Sequence, residues 1–180
     1  MSPIQRDDIS LLLAATAFAA DKHRNQRRKD VDASPYINHP IALANVLKHE
    51  GGIADAKVLA AALLHDTIED TDATAEELEA TFGKEITGIV LEVTDDKSLP
   101  KAERKRLQVE HASTIGHRAK LVKLADKICN LRDLAAAPPA GWSERRIHEY
   151  YVWARQVVDG LRGTNAALER LFDTLVADQI

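Results

Sequence analysis

Cysteine is almost absent from the chain. Cys129 is the only one among 180 residues, so no internal disulfide can form and no thiolate cage can hold a metal, a usage that fits a reducing compartment. Glycine and proline are scarce at 8 and 6, which leaves little material for a turn-rich β architecture. Positive charge is not in excess either: 24 Lys and Arg against 28 Asp and Glu give a formal net charge of −4, without the footprint of a nucleic-acid binder. Any basic site must therefore be local. No apolar run reaches the ~20 residues needed to span a bilayer. The stretch Leu11-Leu12-Leu13-Ala14-Ala15-Thr16-Ala17-Phe18-Ala19-Ala20 is the nearest to one, but it follows the net-acidic Arg6-Asp7-Asp8 where a secretory leader would be basic. A cytoplasmic protein with no membrane or nucleic-acid partner is expected.

What is present is an ordinary globular ratio, 45% hydrophobic and 29% charged, in a length that suits about one domain. The expected fold is all-α, a single compact multi-helix bundle over residues 1–180. Ile9, Leu12, Leu13, Thr16, Ala19 and Ala20 follow the spacing of a core-facing helix. A basic stretch, Lys22 to Asp30, and a loop around Ser34-Pro35-Tyr36 lead to a second helix with Pro40 in its first turn and His39 close to its start. Gly51-Gly52 stops it, and Asp55 can cap a third, Ala/Leu-rich helix running from Ala56 to about Glu69. Thr74-Ala75-Glu76-Glu77 is a capping-box sequence for a short helix ending at Gly83. Ile86, Ile89, Val90 and Val93 mark another helix, residues 94–100 a loop, and Lys101 to Arg106 the charged head of the next. Leu121, Leu124, Ala125, Ile128 and Leu131 mark a buried helix over about residues 117–134. Ser143 can cap a further long helix, and Leu168, Leu171, Phe172 and Leu175 complete a terminal one.

Chemistry concentrates in His65-Asp66-Thr67-Ile68-Glu69-Asp70. At ~100° per residue, Glu69 falls one turn beyond His65 and Asp66, and Asp70 one turn beyond Asp66, so four polar groups share a patch. Three carboxylates on a half-buried face repel one another and resist desolvation unless a cation neutralises them. A divalent metal is the simplest remedy, but one helix cannot fill its coordination sphere. His39 and Asp126 are the best distant candidates, since Asp126 interrupts the apolar run Leu121-Val122-Lys123-Leu124-Ala125 and a carboxylate there needs a partner. The competing bland roles are a solvated acidic helix end, a core histidine at 39 and a salt-bridging Asp126. Two imidazoles and two carboxylates, His39, His65, Asp66 and Asp126, suit manganese better than magnesium, iron or zinc, with about two positions left for water and a substrate oxygen. Such an ion ionises water near neutral pH and polarises a phosphoryl oxygen, the logic of metal-assisted phosphoester hydrolysis. Glu69 and Asp70 are then candidates to orient or deprotonate the attacking water and to protonate the leaving oxygen.

His39, His65-Asp66 and Asp126, in that order, resemble the signature of the HD-domain metal-dependent phosphohydrolases. Gln26-Arg27-Arg28-Lys29, Pro35-Tyr36-Ile37-Asn38-His39-Pro40, His65 to Asp70, and Leu124-Ala125-Asp126-Lys127 with Asn130-Leu131-Arg132 are similar to the hydrolase domain of the RelA/SpoT alarmone enzymes and its small stand-alone members. The likeness runs from about Leu11 to Leu161. It implies an HD-type helical bundle that hydrolyses guanosine 3′-diphosphate 5′-di- or triphosphate to GDP or GTP plus pyrophosphate with one bound Mn²⁺. It assigns His39, His65, Asp66 and Asp126 to the metal and Glu69 and Asp70 to the water. Arg28 and Lys29 would flank the guanine, Asn130 would bind the ribose or its phosphate, and Lys101, Arg146 and Tyr150 would approach the phosphates.

Two basic clusters agree with a polyanionic nucleotide, Lys22, Arg24, Arg27, Arg28 and Lys29 in one and Lys101, Arg104, Lys105 and Arg106 in the other, and guanidinium groups can also stack on a purine. The bifunctional relatives carry a synthetase domain after this one, so pyrophosphate transfer from ATP is not expected here. Asp133 stands where several long relatives have threonine, a change that bears on substrate preference. Two other readings keep the same residues: an HD phosphohydrolase for NADPH, a deoxynucleotide monophosphate or a cyclic nucleotide, and a non-catalytic nucleotide sensor.

Overall fold

The computed structural model describes residues 7–30, 32–177 and 179, so the ends of the expected 1–180 domain, Arg6 included, lie outside the described residues. Among those residues the fold is all-helical. In chain order the elements are α1 (Asp8–Lys22), α2 (Asn38–Asn45) with a π-helical turn over Val46–Glu50, α3 (Ala56–Leu64), α4 (Thr67–Asp70), α5 (Ala75–Phe82), α6 (Lys84–Val93), α7 (Lys101–His111), α8 (His117–Ala136), α9 (Glu144–Asp159) and α10 (Ala166–Val176). No helix is long and apolar enough to cross a membrane among the described residues.

Two helices form the axis of the bundle. Every residue of α3 except Lys57 is buried, and its small Ala60, Ala61 and Ala62 let α1, α2, α6 and α8 pack against it. A helix apolar around its whole circumference belongs in the interior. The middle of α8 is interior for a different reason, its neighbours: residues 121–125 are buried in succession and α2, α3, α6, α9 and α10 pack around the helix. The middle of α8 therefore carries Lys123, Asp126 and Lys127 towards the interior, while Lys57 of α3 and His117 and Asp133 of α8 face water.

Local signals act as read. Asp55 accepts from the Lys57 amide, Thr74 from Glu77 and Ser143 from Arg146, each covering a donor that a helix start leaves open. Gly83, at φ +84°, ends α5 and opens α6 without an intervening loop, a backbone shape that a Cβ disfavours. The most connected cap is Asn165, whose Oδ1 accepts from the amides of Ala167 at 3.1 Å and Leu168 at 3.0 Å while its Nδ2 donates to the Gly51 carbonyl at 2.9 Å. Asn165→Ala removes all three bonds, and a loss of about 2 kcal/mol, with a Tm about 4–8 °C lower, is expected in thermal denaturation.

Two expectations need correction. The apolar stripe of α1 is turned from the one predicted: Ala19 is fully buried and Leu12 packs on the core as expected, but Ala15 is the other fully buried residue, whereas Ile9 and Leu13 are 73% and 66% exposed. Alanine at the contact allows α3 to approach closely, Leu11, Leu12 and Phe18 pack beside it, and Ile9 and Leu13 are left on the outer side. The helix expected from Ala56 to Glu69 is interrupted at His65-Asp66, where Asp66 takes φ −101° and ψ 1°. The break is stabilised locally, because the Thr67 hydroxyl donates to the Leu64 carbonyl at 2.7 Å and His65 Nδ1 donates to the Ala62 carbonyl at 2.8 Å. The Asp70 amide still reaches the Asp66 carbonyl at 2.8 Å, so the one-turn relation between those two acids survives.

Candidate active site

Three segments bring the chemistry together. His39 is the second residue of α2, set by the turn in which its amide donates to the Tyr36 carbonyl at 3.0 Å. His65 and Asp66 occupy the break after α3, and Asp126 projects from the middle of α8. One ligand atom each from His39, His65 and Asp126 lies within 4.8 Å of the others, a group able to hold a metal ion. His39 Nε2 stands 3.1 Å and His65 Nε2 3.9 Å from Asp126 Oδ1. Asp66 Oδ2 lies 2.9 Å from His65 Nε2 on the other side and accepts the hydroxyl of Tyr36.

The donor chemistry fits a cation. With Nδ1 of His65 given to the Ala62 carbonyl, the neutral form of this imidazole has its lone pair on Nε2, and that buried atom has no hydrogen-bond partner despite the nearby carboxylates. Positive charge is what the surroundings call for. Burial opposes protonation of His65, yet the Asp66 and Asp126 carboxylates outweigh it and push the imidazole up to about 9. Burial likewise works to raise Asp66, but His65 holds its carboxyl far below the usual range. For Asp126 burial is again overcome, here by Lys127 and His39, and the carboxyl sits well below its ordinary value. Lys127 Nζ is 3.0 Å from Asp126 Oδ2 and the Asn130 amide donates to Oδ1 at 2.7 Å, the partners that an interrupted apolar helix led us to expect.

Glu69 and Asp70 diverge from one another. Glu69 accepts the Asp95 amide at 2.9 Å, Arg104 stands 3.8 Å away, and burial, helped by Asp95 and Asp66, pushes its carboxyl up to about 7. Asp70 takes an ion pair with Lys97 and a 2.9 Å hydrogen bond from Gln26 Nε2, whose Oε1 in turn receives the buried His23 Nδ1 at 2.6 Å. Neighbouring carboxyls thus differ in their partners: Glu69 has an amide and the more distant Arg104, Asp70 an amide and the close Lys97.

A cleft of about 540 Å³ adjoins the metal ligands and is lined by Arg28, Lys29, Asn130 and Tyr150 among others. Four of the six substrate contacts expected from sequence therefore share one wall system. Lys101 and Arg146 stand outside that lining, but they belong to the same basic group: burial first, then Arg146, Lys29 and Arg104, lowers the Lys101 ammonium below its usual value. Arg146 stacks 4.2 Å from the centre of the Trp142 ring, which also lines the cleft. Asp133 holds Arg28 in an ion pair at the same wall. Cys129 is buried, its thiol pushed up to about 12 by burial, and takes no part.

Sequence reasoning missed Gln26, Tyr36, Lys97, Asp95 and Trp142 as parts of the site. Gln26 and Tyr36 stood within the motif strings but carried no ionisable signal of their own. Lys97 and Asp95 lie in the 94–100 loop, and nothing in its sequence says that it folds over the break after α3.

Comparisons agree with this geometry. Residues 15–155 match the HD domain family. The chain is 60% identical over 172 residues to guanosine-3′,5′-bis(diphosphate) 3′-pyrophosphohydrolase MESH1 of Xenopus tropicalis, covering 96% of each. With the protein of the same name from Homo sapiens it shares 63% over 158 residues, 88% of each. A solved structure described as a metazoan ortholog of SpoT that hydrolyzes ppGpp aligns with a TM-score of 0.92 at 53% identity, over 94% of this chain and 95% of that one. By sequence, fold and the arrangement of its buried histidines and aspartates, this chain belongs to the HD-domain family, in the RelA/SpoT-type branch.

Proposed function

We propose that this protein hydrolyses the 3′-pyrophosphate of guanosine 3′-diphosphate 5′-di- or triphosphate, giving GDP or GTP and pyrophosphate, as a single Mn²⁺-dependent cytoplasmic hydrolase domain. The observation that carries this reading is the convergence of His39, His65 and Asp126 beside a cleft with a basic wall, in a chain so similar to proteins named for that reaction. His39, His65 and Asp126, with Asp66 against them, would hold the ion. A divalent cation there supplies charge for the phosphoryl oxygens and a lower pKa for water.

The protein's own residues account for the rest. Arg28 and Lys29 face the base, and Arg28 is kept in place by Asp133. Asn130 gives its Nδ2 to Asp126, which leaves its carbonyl oxygen for a ribose hydroxyl. Lys101, Arg146 and Tyr150 present cationic and phenolic groups to the phosphates. Glu69 takes the proton from the attacking water, for which a carboxyl displaced towards neutrality is suited. Asp70, pinned by Gln26 and Lys97, orients that water. The water oxygen bonds to phosphorus, the bond from phosphorus to the ribose 3′-oxygen breaks, and that oxygen takes up a proton from solvent while Glu69 releases its own to solvent.

Purified protein with Mn²⁺ and a nucleotide panel, read by chromatography, tests the reading. Guanosine 3′-diphosphate 5′-diphosphate should yield GDP and pyrophosphate. Orthophosphate release, or turnover confined to NADPH, a deoxynucleotide monophosphate or a cyclic nucleotide, would replace this substrate with another. Chelation should abolish turnover and Mn²⁺ should restore it better than Mg²⁺. In thermal shift assays Mn²⁺ at ~100 times its Kd should add about 2.7 kcal/mol, a rise of about 5–11 °C.

A further inference from the structure

Lys123 is a buried cation for which the reaction above has no use. It is 8% exposed, and no carboxylate among the described residues comes within ion-pair distance of it. Its Nζ makes one long hydrogen bond, 3.5 Å to the Val93 carbonyl. Lys127, one turn along α8, is fully committed by contrast, to Asp126 at 3.0 Å and to the face of Trp153 at 4.6 Å. An ammonium with three donors and one marginal acceptor is costly to keep out of water, so its position calls for an anion.

The cavities around it say where that anion sits. The nucleotide cleft shares Tyr36, His39, Asp70 and Asn130 with a chamber of about 190 Å³ that holds the proposed metal ligands. That chamber shares Asp95, Gln108 and Lys123 with a second hollow of about 200 Å³ on its far side. Lys123 thus stands across the metal ligands from the nucleoside. The hollow also contains Arg104, whose buried Nε has no hydrogen-bond partner. Its carboxylates are already occupied: Asp95 by the Gln108 amide, Asp96 by the Ser98 amide at 2.9 Å and Glu92 by the Gly116 amide. Among the charged groups of this region the unmet hydrogen-bonding capacity is therefore cationic, Arg104 Nε and the Lys123 ammonium, beside one neutral acceptor without a partner, Gln108 Oε1.

We propose that Lys123, with Arg104 behind it, forms a subsite for the distal phosphate of the substrate's 3′-pyrophosphate and for the pyrophosphate product. The subsite rests on the hydrolase reading above and deepens it. A nucleotide with a single 3′-phosphate leaves the ammonium without its partner, so the site selects for pyrophosphate over monophosphate at this position. Attack at the proximal phosphorus does not touch the distal group, which Lys123 only holds.

The test compares wild type with Lys123→Met and Arg104→Gln, using inorganic pyrophosphate and GDP as separate product inhibitors at buffered free Mn²⁺. Each variant should lose ~10-fold or more in pyrophosphate inhibition while GDP inhibition stays within about twofold. Unchanged pyrophosphate inhibition in Lys123→Met, or equal loss for both products, overturns the subsite. Should Lys123→Met fail to fold, Arg104→Gln carries the same comparison. Calorimetric titration of pyrophosphate into wild type and variants at the same free Mn²⁺ separates the two levels of inference. Lys123-dependent binding without any turnover of the guanosine substrate refutes the substrate reading alone, and turnover with Lys123-independent binding refutes the subsite alone.

Discussion

Asp126→Ala should reduce hydrolysis by at least ~10³-fold, since a bound cation supplies several kcal/mol of charge stabilisation and each 1.36 kcal/mol is tenfold in rate. Calorimetry should show the loss of Mn²⁺ binding in parallel. The same substitution should cost about 3 kcal/mol of stability in the metal-free protein, measured by urea unfolding. The cause is Lys127, which is buried and would lose its carboxylate at 3.0 Å, and breaking a buried pair from one side costs roughly 3–5 kcal/mol. The lower end applies because Asp126 also repels Asp66, and that repulsion disappears with it. Asp126→Asn separates the two effects. An amide oxygen can still accept from Lys127 or Asn130, so most stability should return while metal binding and turnover do not. Full turnover in either variant would remove Asp126 from the ligand set.

Glu69→Gln should lower kcat by about 10²–10⁴-fold with Mn²⁺ affinity nearly unchanged, the loss typical of a positioned general base. Its signature lies in the pH profile. Glu69 must be ionised to accept a proton, so wild-type kcat should fall tenfold per unit on the acid side of its pKa. Burial sets that value near 7 and a bound cation draws it lower, which places the limb at or below pH 7. In Glu69→Gln this limb should vanish. Stability moves the other way. Between the ordinary glutamate value and about 7 the native metal-free protein holds a proton that the unfolded chain has released, so wild type loses stability as pH rises through that window. Metal-free Glu69→Gln should therefore unfold at a higher temperature than wild type at pH 8, an advantage that disappears by pH 4.5. An acid limb that survives in Glu69→Gln transfers the proton to another group.

Much of this was legible in the residues because the signals were of two strong kinds. Helix caps such as Asp55, Thr74 and Ser143 act within three residues of themselves, so sequence alone contains both partners. His39, His65 and Asp126 announced themselves as polar groups in apolar surroundings, which is a statement about cost and holds wherever the chain places them. Less legible was the rotation of α1. Alanine, leucine and isoleucine satisfy periodicity equally well, and only the closeness of α3 selects Ala15 and Ala19 for the contact. The break at His65-Asp66 was hidden for a related reason. The apolar pattern continues through it, while the Thr67 hydroxyl and His65 ring take over backbone acceptors that an unbroken helix would satisfy itself. Tyr36 and Lys97 depended on tertiary proximity, for which a single sequence gives no period or spacing.

The connection between α1 and α2 carries Arg28 and Lys29 on the cleft wall, and it also carries Gln26, bonded to Asp70, and Tyr36, bonded to Asp66. Under the proposed function, one strap would grip the purine with some residues while it steadies the acidic groups with others. A base that fits poorly pulls on the same backbone that aligns the water, so a mismatched nucleotide can still be held by its phosphates yet react slowly. Discrimination among purines should consequently be visible in turnover before it is visible in binding.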